Sequence, residues 1–433
     1  MNILIRNARV MDPHTAFDRI TDLLITEGRI TSVDPCPDPS SLPPGIRIID
    51  ADGLIAAPGL VDIHVHFREP GFTHKEDIAS GALAAVAGGY TSVVMMANTR
   101  PVIDSVSVLK QVQERIAKVN AVTPLHILPS ASVSIGLQGS ELTDFAALAD
   151  AGAAGFTDDG IPLMNEELLL DACRLAETVH MPVSLHEEDP RLISQNGVNA
   201  GPVAESLGLE GSPAEAEISL IRRDIAIASR TRADVNIQHI STKEGVELIR
   251  QARKRNPHIH AEAAPHHFSL TEDAIRTHGT LAKMNPPLRT EEDRMAVIRG
   301  LADGTIETIA TDHAPHAAEE KARDFADAPS GIIGLETALP LAITTLVMPG
   351  YLSMMQVLER MTASPAALYG IPSGIKEGLP ADLVLFDPDA VQVFRQFRSR
   401  SSKSPCTGQE LHGVVRYTIC GGKIAYENTK EQP

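Results

Sequence analysis

From residue 2 to about residue 55, apolar positions recur at every second place in short runs (ILIRNARVMD, DLLITEGRITSVD, GIRIIDADG) separated by Pro- and Gly-rich turns. A period of two predicts strands and no helix. From Leu60 the pattern changes. Eight apolar runs (LVDIHVHF, TSVVMM, LHILPS, AAGFTDD, PVSLHEE, VNIQHI, HIHAEA, ETIATDH) alternate with Ala-rich stretches of helical period, such as HKEDIASGALAAVAGG, NEELLLDACRLAETVH and EEDRMAVIRGLADG. Alternating β and α elements predict a parallel sheet, and eight units in succession predict an α/β fold closed as a (β/α)8 barrel. After about Gly370 the helical pattern stops, and ADLVLFDPDA, GVVRYTICGG and KIAYE again read as strands. The expected organisation is therefore a barrel over 56–368, with 1–55 and 369–433 together forming a small β-sandwich.

Composition narrows the function. A chain of 433 residues can bury a large core and suits a barrel with an appended unit. With 38 basic against 56 acidic side chains the formal net charge is -18, which argues against nucleic acid or an anionic membrane surface as partner. An anionic substrate would have to be captured by local arginines. Cys36, Cys173, Cys406 and Cys420 form no CxxC pair and are expected to be reduced thiols of a cytoplasmic protein. The N-terminus lacks the basic and long apolar segments of a signal peptide. The most apolar window, Gly331 to Gly350, is broken by Glu336 and Pro340 and suits a packed helix.

Candidate chemistry lies at the ends of the β runs, where barrel enzymes place catalytic groups. In the first run His64 and His66 stand two residues apart, so both imidazoles leave one side of the strand and can reach one ion. The fifth run ends in His186, the sixth in His239 and the eighth in Asp312. Singly, each has a bland reading as a packed histidine or a helix N-cap. Together, on four strands that a barrel brings to one mouth, they predict converging metal ligands.

These residues resemble the amidohydrolase superfamily. The segments PGLVDIHVHFREPG, FTDDG, STK, MNPPLR, ATDHAPH and SGIIGLETALP are similar to bacterial class I dihydroorotases over nearly the whole chain. Many relatives carry on strand four a lysine that becomes carboxylated and bridges two metals, but no lysine occurs here from Val119 to Thr242. Phe156-Thr157-Asp158-Asp159-Gly160 stands in that place, and the resemblance implies Asp159 as a metal ligand with Asp158 as neighbour or orienter. It also implies substrate contacts at His66, Arg68, Asn98, Asn285 and His316, with backbone at Ser330 and Gly331 nearby. Ala97 replaces the proline usual before the asparagine. His266 and His267 are candidates for an outer layer.

The resemblance implies zinc, one or two ions per chain, and interconversion of N-carbamoyl-L-aspartate and L-dihydroorotate, with Asp312 as catalytic proton carrier. His64, His66 and Asp159 form the expected first metal set; His186 and His239 form the second, with Asp159 bridging. A homo-oligomer is expected, and class I dihydroorotases often associate with aspartate transcarbamoylase. Two rival readings remain at this stage: a hydantoinase-like hydrolase, disfavoured by the missing lysine and by Arg68, and a non-catalytic scaffold subunit, disfavoured by the intact ligand set. The polar stretch 317–330 is expected to be a mobile segment that orders over substrate.

Overall fold

A computed structural model describes residues 2–34, 42, 45–402 and 404–428 of the chain; Cys36 lies outside the described residues. The alternating N-terminal pattern folds as strands β1 (Ile3–Asp12), β2 (Phe17–Thr26), β3 (Arg29–Ser32), β4 (Arg47–Asp50) and β5 (Ile55–Pro58). The barrel strands follow as β6 (Leu60–Val65), β7 (Tyr90–Met95), β8 (His126–Pro129), β9 (Phe156–Thr157), β10 (Val183–Leu185), β11 (Val235–Ile237), β12 (Ile259–Ala263) and β13 (Thr308–Ile309). At the C-terminal end come β14 (Leu383–Val393), β15 (Glu410–Cys420) and β16 (Lys423–Glu427).

All eight expected βα runs form barrel strands. They pair in parallel as β6-β7-β8 and as β9-β10-β11-β12-β13. Isolated parallel bridges Ala131↔Phe156 and Val65↔His313 join the two arcs into a ring. Strands β9 and β13 are only two residues long, because the chain leaves the ladder just where it delivers Asp159 and Asp312.

The helices start where local chemistry caps them. The predicted helix at 74–89 begins at Ile78, after an Asp77/Ser80 capping box, and His74-Lys75-Glu76 stays outside it. Asn165 caps Glu166–Val179, and Thr290 with Asp293 caps Glu291–Asp303, which ends at Gly304 with φ 81°. The apolar window near Gly331 to Gly350 holds a buried helix, Ala338–Ala342, running into a π-turn. Among the described residues no helix is long and apolar enough to cross a membrane.

Both chain ends build one eight-stranded, sandwich-like sheet, in which β5 lies between β1 and β14. Strand geometry sends successive side chains to its two opposite faces. Leu383 and Leu385 pack with Ile3, Ile5, Leu23, Ile25 and Ile419 in a core of the sheet's own, whereas Val384 and Phe386 between them enter the barrel core. Burying such side chains is worth about 1.5–3 kcal/mol each, so the alternation fixes the sheet onto the barrel.

Candidate metal centre at the barrel mouth

Strand β6 carries His64 and, one residue past its end, His66, with ring centroids 5.3 Å apart. Each ring is oriented by a partner on its Nδ1. His64 Nδ1 lies 2.6 Å from Glu262 Oε1, and His66 Nδ1 lies 3.0 Å from Asn98 Oδ1. An acceptor on Nδ1 requires the proton there, which turns both Nε2 atoms toward the centre.

Two carboxylates face those Nε2 atoms. Asp159 Oδ1 is 3.1 Å from His64 Nε2 and Asp159 Oδ2 is 3.4 Å from His66 Nε2. Asp312 Oδ1 lies 3.1 Å from His66 Nε2 and 3.6 Å from His64 Nε2. Despite these distances His64 Nε2 makes no hydrogen bond, and His239 Nδ1 is also buried without a partner. His186 Nδ1 sits 2.9 Å from His239 Nε2, and its Nε2 faces Glu188 Oε2 at 3.4 Å. Acceptor atoms therefore converge on one another in a buried space, an arrangement that only protons or a cation can satisfy. One donor atom each from His64, Asp159 and His239, and likewise from His64, His66 and Asp312, lie within 4.8 Å of one another. The donor set of imidazole and carboxylate suits zinc-type divalent ions.

The electrostatics agree. Burial alone would lower the pKa of His64, but the carboxylates of Asp159 and Glu262 outweigh it and hold it well above the ordinary value. Burial would raise Asp159, yet His64 and His66 keep it well below the carboxylate range, and Asp312 is lowered in the same way. Burial and the neighbouring His186 and His64 push His239 well down, so it stays neutral and able to ligate. Three of these residues pay in backbone strain: Arg68 (φ 59°), His239 (φ 33°) and Asp312 (φ 46°) are non-glycine residues in the left-handed region, a feature that clusters at functional sites.

Above this cluster opens a cavity of about 190 Å³ lined by His66, Arg68, Asn98, Asp159, Gly160, His186, His239, Asn285, Asp312, Ala314, His316, Ser330 and Gly331. Every expected metal ligand and substrate contact lines it except His64, which is fully buried. Asn285 Oδ1 is buried without a partner, and Asn98 Nδ2 donates to Asp159 Oδ2 at 3.1 Å. His316 Nε2 donates to Ser330 O at 2.8 Å, which leaves Nδ1 to accept from Lys75 Nζ at 3.3 Å. Burial, with Arg68 and Lys75 close by, lowers His316 to about 2, so its ring is neutral. Arg68 is half-buried, and its Nε donates to Pro315 O at 3.3 Å.

Asp158 points elsewhere: it accepts from Ser134 N at 3.0 Å and from Ser134 Oγ, so of the adjacent pair only Asp159 faces the cavity. The stretch 317–330 is pinned at its base, with Lys321 Nζ donating to Pro329 O and Gly331 O at 2.9 and 3.0 Å and Lys283 Nζ to Phe325 O at 2.6 Å. His267 Nε2 bonds Pro286 O at 3.0 Å, and buried His266, lowered to about 4 by desolvation, lies close enough to feel Asp312.

Sequence reasoning missed the supporting groups Glu262, Asp62, Glu76 and Lys75. Asp62 Oδ1 accepts from His64 N at 3.0 Å and from Thr311 N at 3.1 Å, tying the first strand to the turn that presents Asp312. Glu76 Oε2 lies 3.3 Å from His313 Nε2 and also bonds Ser399 Oγ. Asp62 alternates in phase with His64 and His66, and Glu262 falls within the seventh run. For these two, a charged residue inside an otherwise apolar strand was the available signal; Glu76 and Lys75 stand in the loop before Ile78 and gave none.

A parallel barrel whose mouth gathers four histidines and two carboxylates defines an amidohydrolase-type enzyme. Solved structures share the fold: L-hydantoinase (dihydropyrimidinase) from Arthrobacter aurescens superposes with TM-score 0.86 at 24% identity, covering 100% of this chain and 97% of that one. Dihydropyrimidinase from Brevibacillus agri NCHU1002 gives TM-score 0.83 at 21% identity, with 99% and 96% covered. Residues 53–245 match the family model described as Dihydro-orotase-like. The chain is 49% identical over 425 residues to a dihydroorotase of Clostridioides difficile (strain 630), covering 98% of this chain and 99% of that protein. It is 50% identical over 429 residues to a dihydroorotase of Streptococcus pyogenes serotype M3, with 98% and 100% covered. The chain belongs to the dihydroorotase family, enzymes that hydrolyse cyclic-amide C–N bonds.

Proposed function

We propose that this chain is a zinc-dependent dihydroorotase that interconverts N-carbamoyl-L-aspartate and L-dihydroorotate in pyrimidine synthesis. The observation that carries the reading is the convergence of His64, His66, Asp159, His239 and Asp312 beneath a small cavity that also presents Arg68. His64, His66, Asp159, His186, His239 and Asp312 would hold one or two zinc ions. A bound zinc supplies an activated water and polarises the carbonyl under attack.

The chain's own residues supply the remaining steps. In hydrolysis the Asp312 carboxylate takes the proton of the attacking water and delivers it to the ring nitrogen as the C–N bond breaks. In ring closure the same carboxylate removes the proton from the carbamoyl nitrogen, which attacks the side-chain carboxyl carbon, and the departing oxygen leaves as water after taking that proton from Asp312 and a second proton from solvent. Arg68 receives the carboxylate that does not react, through a planar fork of donors. Asn98 holds the His66 ring and Asp159 in place, and Asn285 Oδ1, lacking any protein partner, is available to a substrate N–H. His316 and the backbone at Ser330 and Gly331 complete the wall. The proposal includes a cytoplasmic setting, a homo-oligomer, and assembly with aspartate transcarbamoylase.

The test is to measure metal per purified chain and to follow dihydroorotate and hydantoin turnover side by side. Zinc-dependent dihydroorotate turnover with little hydantoin turnover is expected; the reverse preference would make the chain a hydantoinase and overturn the proposal.

A further inference from the structure

A second group of metal-ligating side chains lies far from the mouth, at the end where the barrel strands begin. His126 opens β8, Asp382 stands directly before β14, and Cys420 closes β15. His126 Nε2 is 3.3 and 3.2 Å from the two Asp382 carboxylate oxygens, and one donor atom each from His126, Asp382 and Cys420 lie within 4.8 Å of one another. Gly421 N donates to Asp382 Oδ1 at 2.7 Å and fixes that carboxylate's orientation, as the surroundings of metal-bound carboxylates do. Cys420 Sγ is buried, and its other neighbour is Thr91 O at 3.7 Å, a weak interaction for a thiol. The His126 side chain is 49% exposed, which opens a path from solvent.

We propose that His126, Asp382 and Cys420 form a second, structural metal site that takes a zinc-type divalent cation and staples the terminal sheet to the barrel. Sulfur, imidazole and carboxylate together disfavour magnesium and calcium, which require all-oxygen shells, and favour zinc, cobalt or cadmium. Tetrahedral zinc with ligands at about 2.0–2.3 Å separates its donor atoms by about 3.3–3.8 Å, so the observed spacing needs only a small closure. Binding converts the Cys420 thiol to thiolate and frees a proton from the His126 imidazolium, and both protons pass to solvent. Water supplies the fourth ligand from the exposed side. One strand of the barrel is thereby tied to two elements of the sheet, at positions remote in sequence, where a cross-link restricts the unfolded chain most.

Because no cysteine lines the barrel mouth, a thiolate ligand gives this site its own spectrum. The chain is produced in zinc-depleted, cobalt-supplemented medium, and its cobalt content and near-ultraviolet thiolate-to-cobalt absorption are measured. The expected result is a charge-transfer band in the parent chain. Cys420→Ser loses that band and about one cobalt per chain while keeping dihydroorotate turnover. His126→Gln, which keeps the thiol, loses the same ion and serves if the serine variant does not fold. Absence of the band from the folded parent chain would mean that the trio is a hydrogen-bonded clamp only, and its persistence in Cys420→Ser would place the thiolate elsewhere. Either result overturns the proposal, and neither depends on which cyclic amide the mouth accepts.

Discussion

Glu262 on β12 and His64 on β6 meet across the barrel interior, with Oε1 of the one 2.6 Å from Nδ1 of the other and both side chains sealed from solvent. The same carboxylate accepts from Asn236 Nδ2 at 2.8 Å through Oε2, so its orientation is fixed from two sides. Glu262 thus sets which nitrogen of His64 faces Asp159 and Asp312.

Glu262→Gln should therefore weaken metal binding without removing a ligand. Outer partners of metal-bound histidines typically change affinity about 10–100-fold. Competition with a chelator measures this directly. Wild-type affinity in a folded Glu262→Gln chain would show that the His64 ring is held by packing alone.

Asp312→Asn keeps the shape of the side chain but cannot accept a proton at neutral pH. Turnover in both directions should fall by about 10²-fold or more, the contribution of a positioned general base. Metal content is measured on the same samples, because Asp312 Oδ1 also lies near His64 and His66. A variant with full zinc and more than about a tenth of wild-type turnover, well above that expectation, would assign the proton to another group.

Arg68→Met should spare the metal and raise KM for carbamoyl-aspartate, since the bound substrate carboxylate loses its charged partner, a loss of about 2–5 kcal/mol once substrate covers the pair. Isothermal titration with a non-reacting dicarboxylate separates binding from chemistry. An unchanged Kd would take Arg68 out of the substrate site.

Lys321 offers a check on the 317–330 segment. Burial lowers its pKa from 10.5 to about 7 while its Nζ bonds Pro329 O and Gly331 O. Between those two values the unfolded chain binds a proton that the folded chain does not, so this residue makes stability rise with pH from about 7 toward 10.5. Lys321→Met should abolish that part of the slope in denaturant unfolding followed across the window. Hydrogen exchange over 317–330 should also quicken in the variant and slow in the wild type on adding dihydroorotate. Identical pH slopes in the two chains would mean that Lys321 keeps an ordinary pKa, and exchange indifferent to ligand would argue against closure over the substrate.

The one-dimensional pattern determined a good deal. Eight apolar runs became eight barrel strands because each must be buried on both faces, and hydrophobic continuity is a local property of sequence. His64 and His66 were legible as a pair because strand geometry alone puts positions two apart on one side. The strands of the terminal sheet were legible too, but that Leu383 and Leu385 face one core and Val384 and Phe386 the other came only from the fold, since all four are apolar.

Only the tertiary structure decided which groups orient the site. Asp159 and Asp158 are adjacent and chemically identical, and what separates them is that Ser134, remote in sequence, captures Asp158. Glu262 lies 198 residues from His64, and Lys75 lies 241 from His316. The likewise distant Asp382 and Cys420 meet His126 only because the sheet docks under the barrel. A hydrogen bond requires heavy atoms within about 3 Å and a fixed angle, a condition on relative position that closure of the fold imposes and that local spacing along a chain cannot encode.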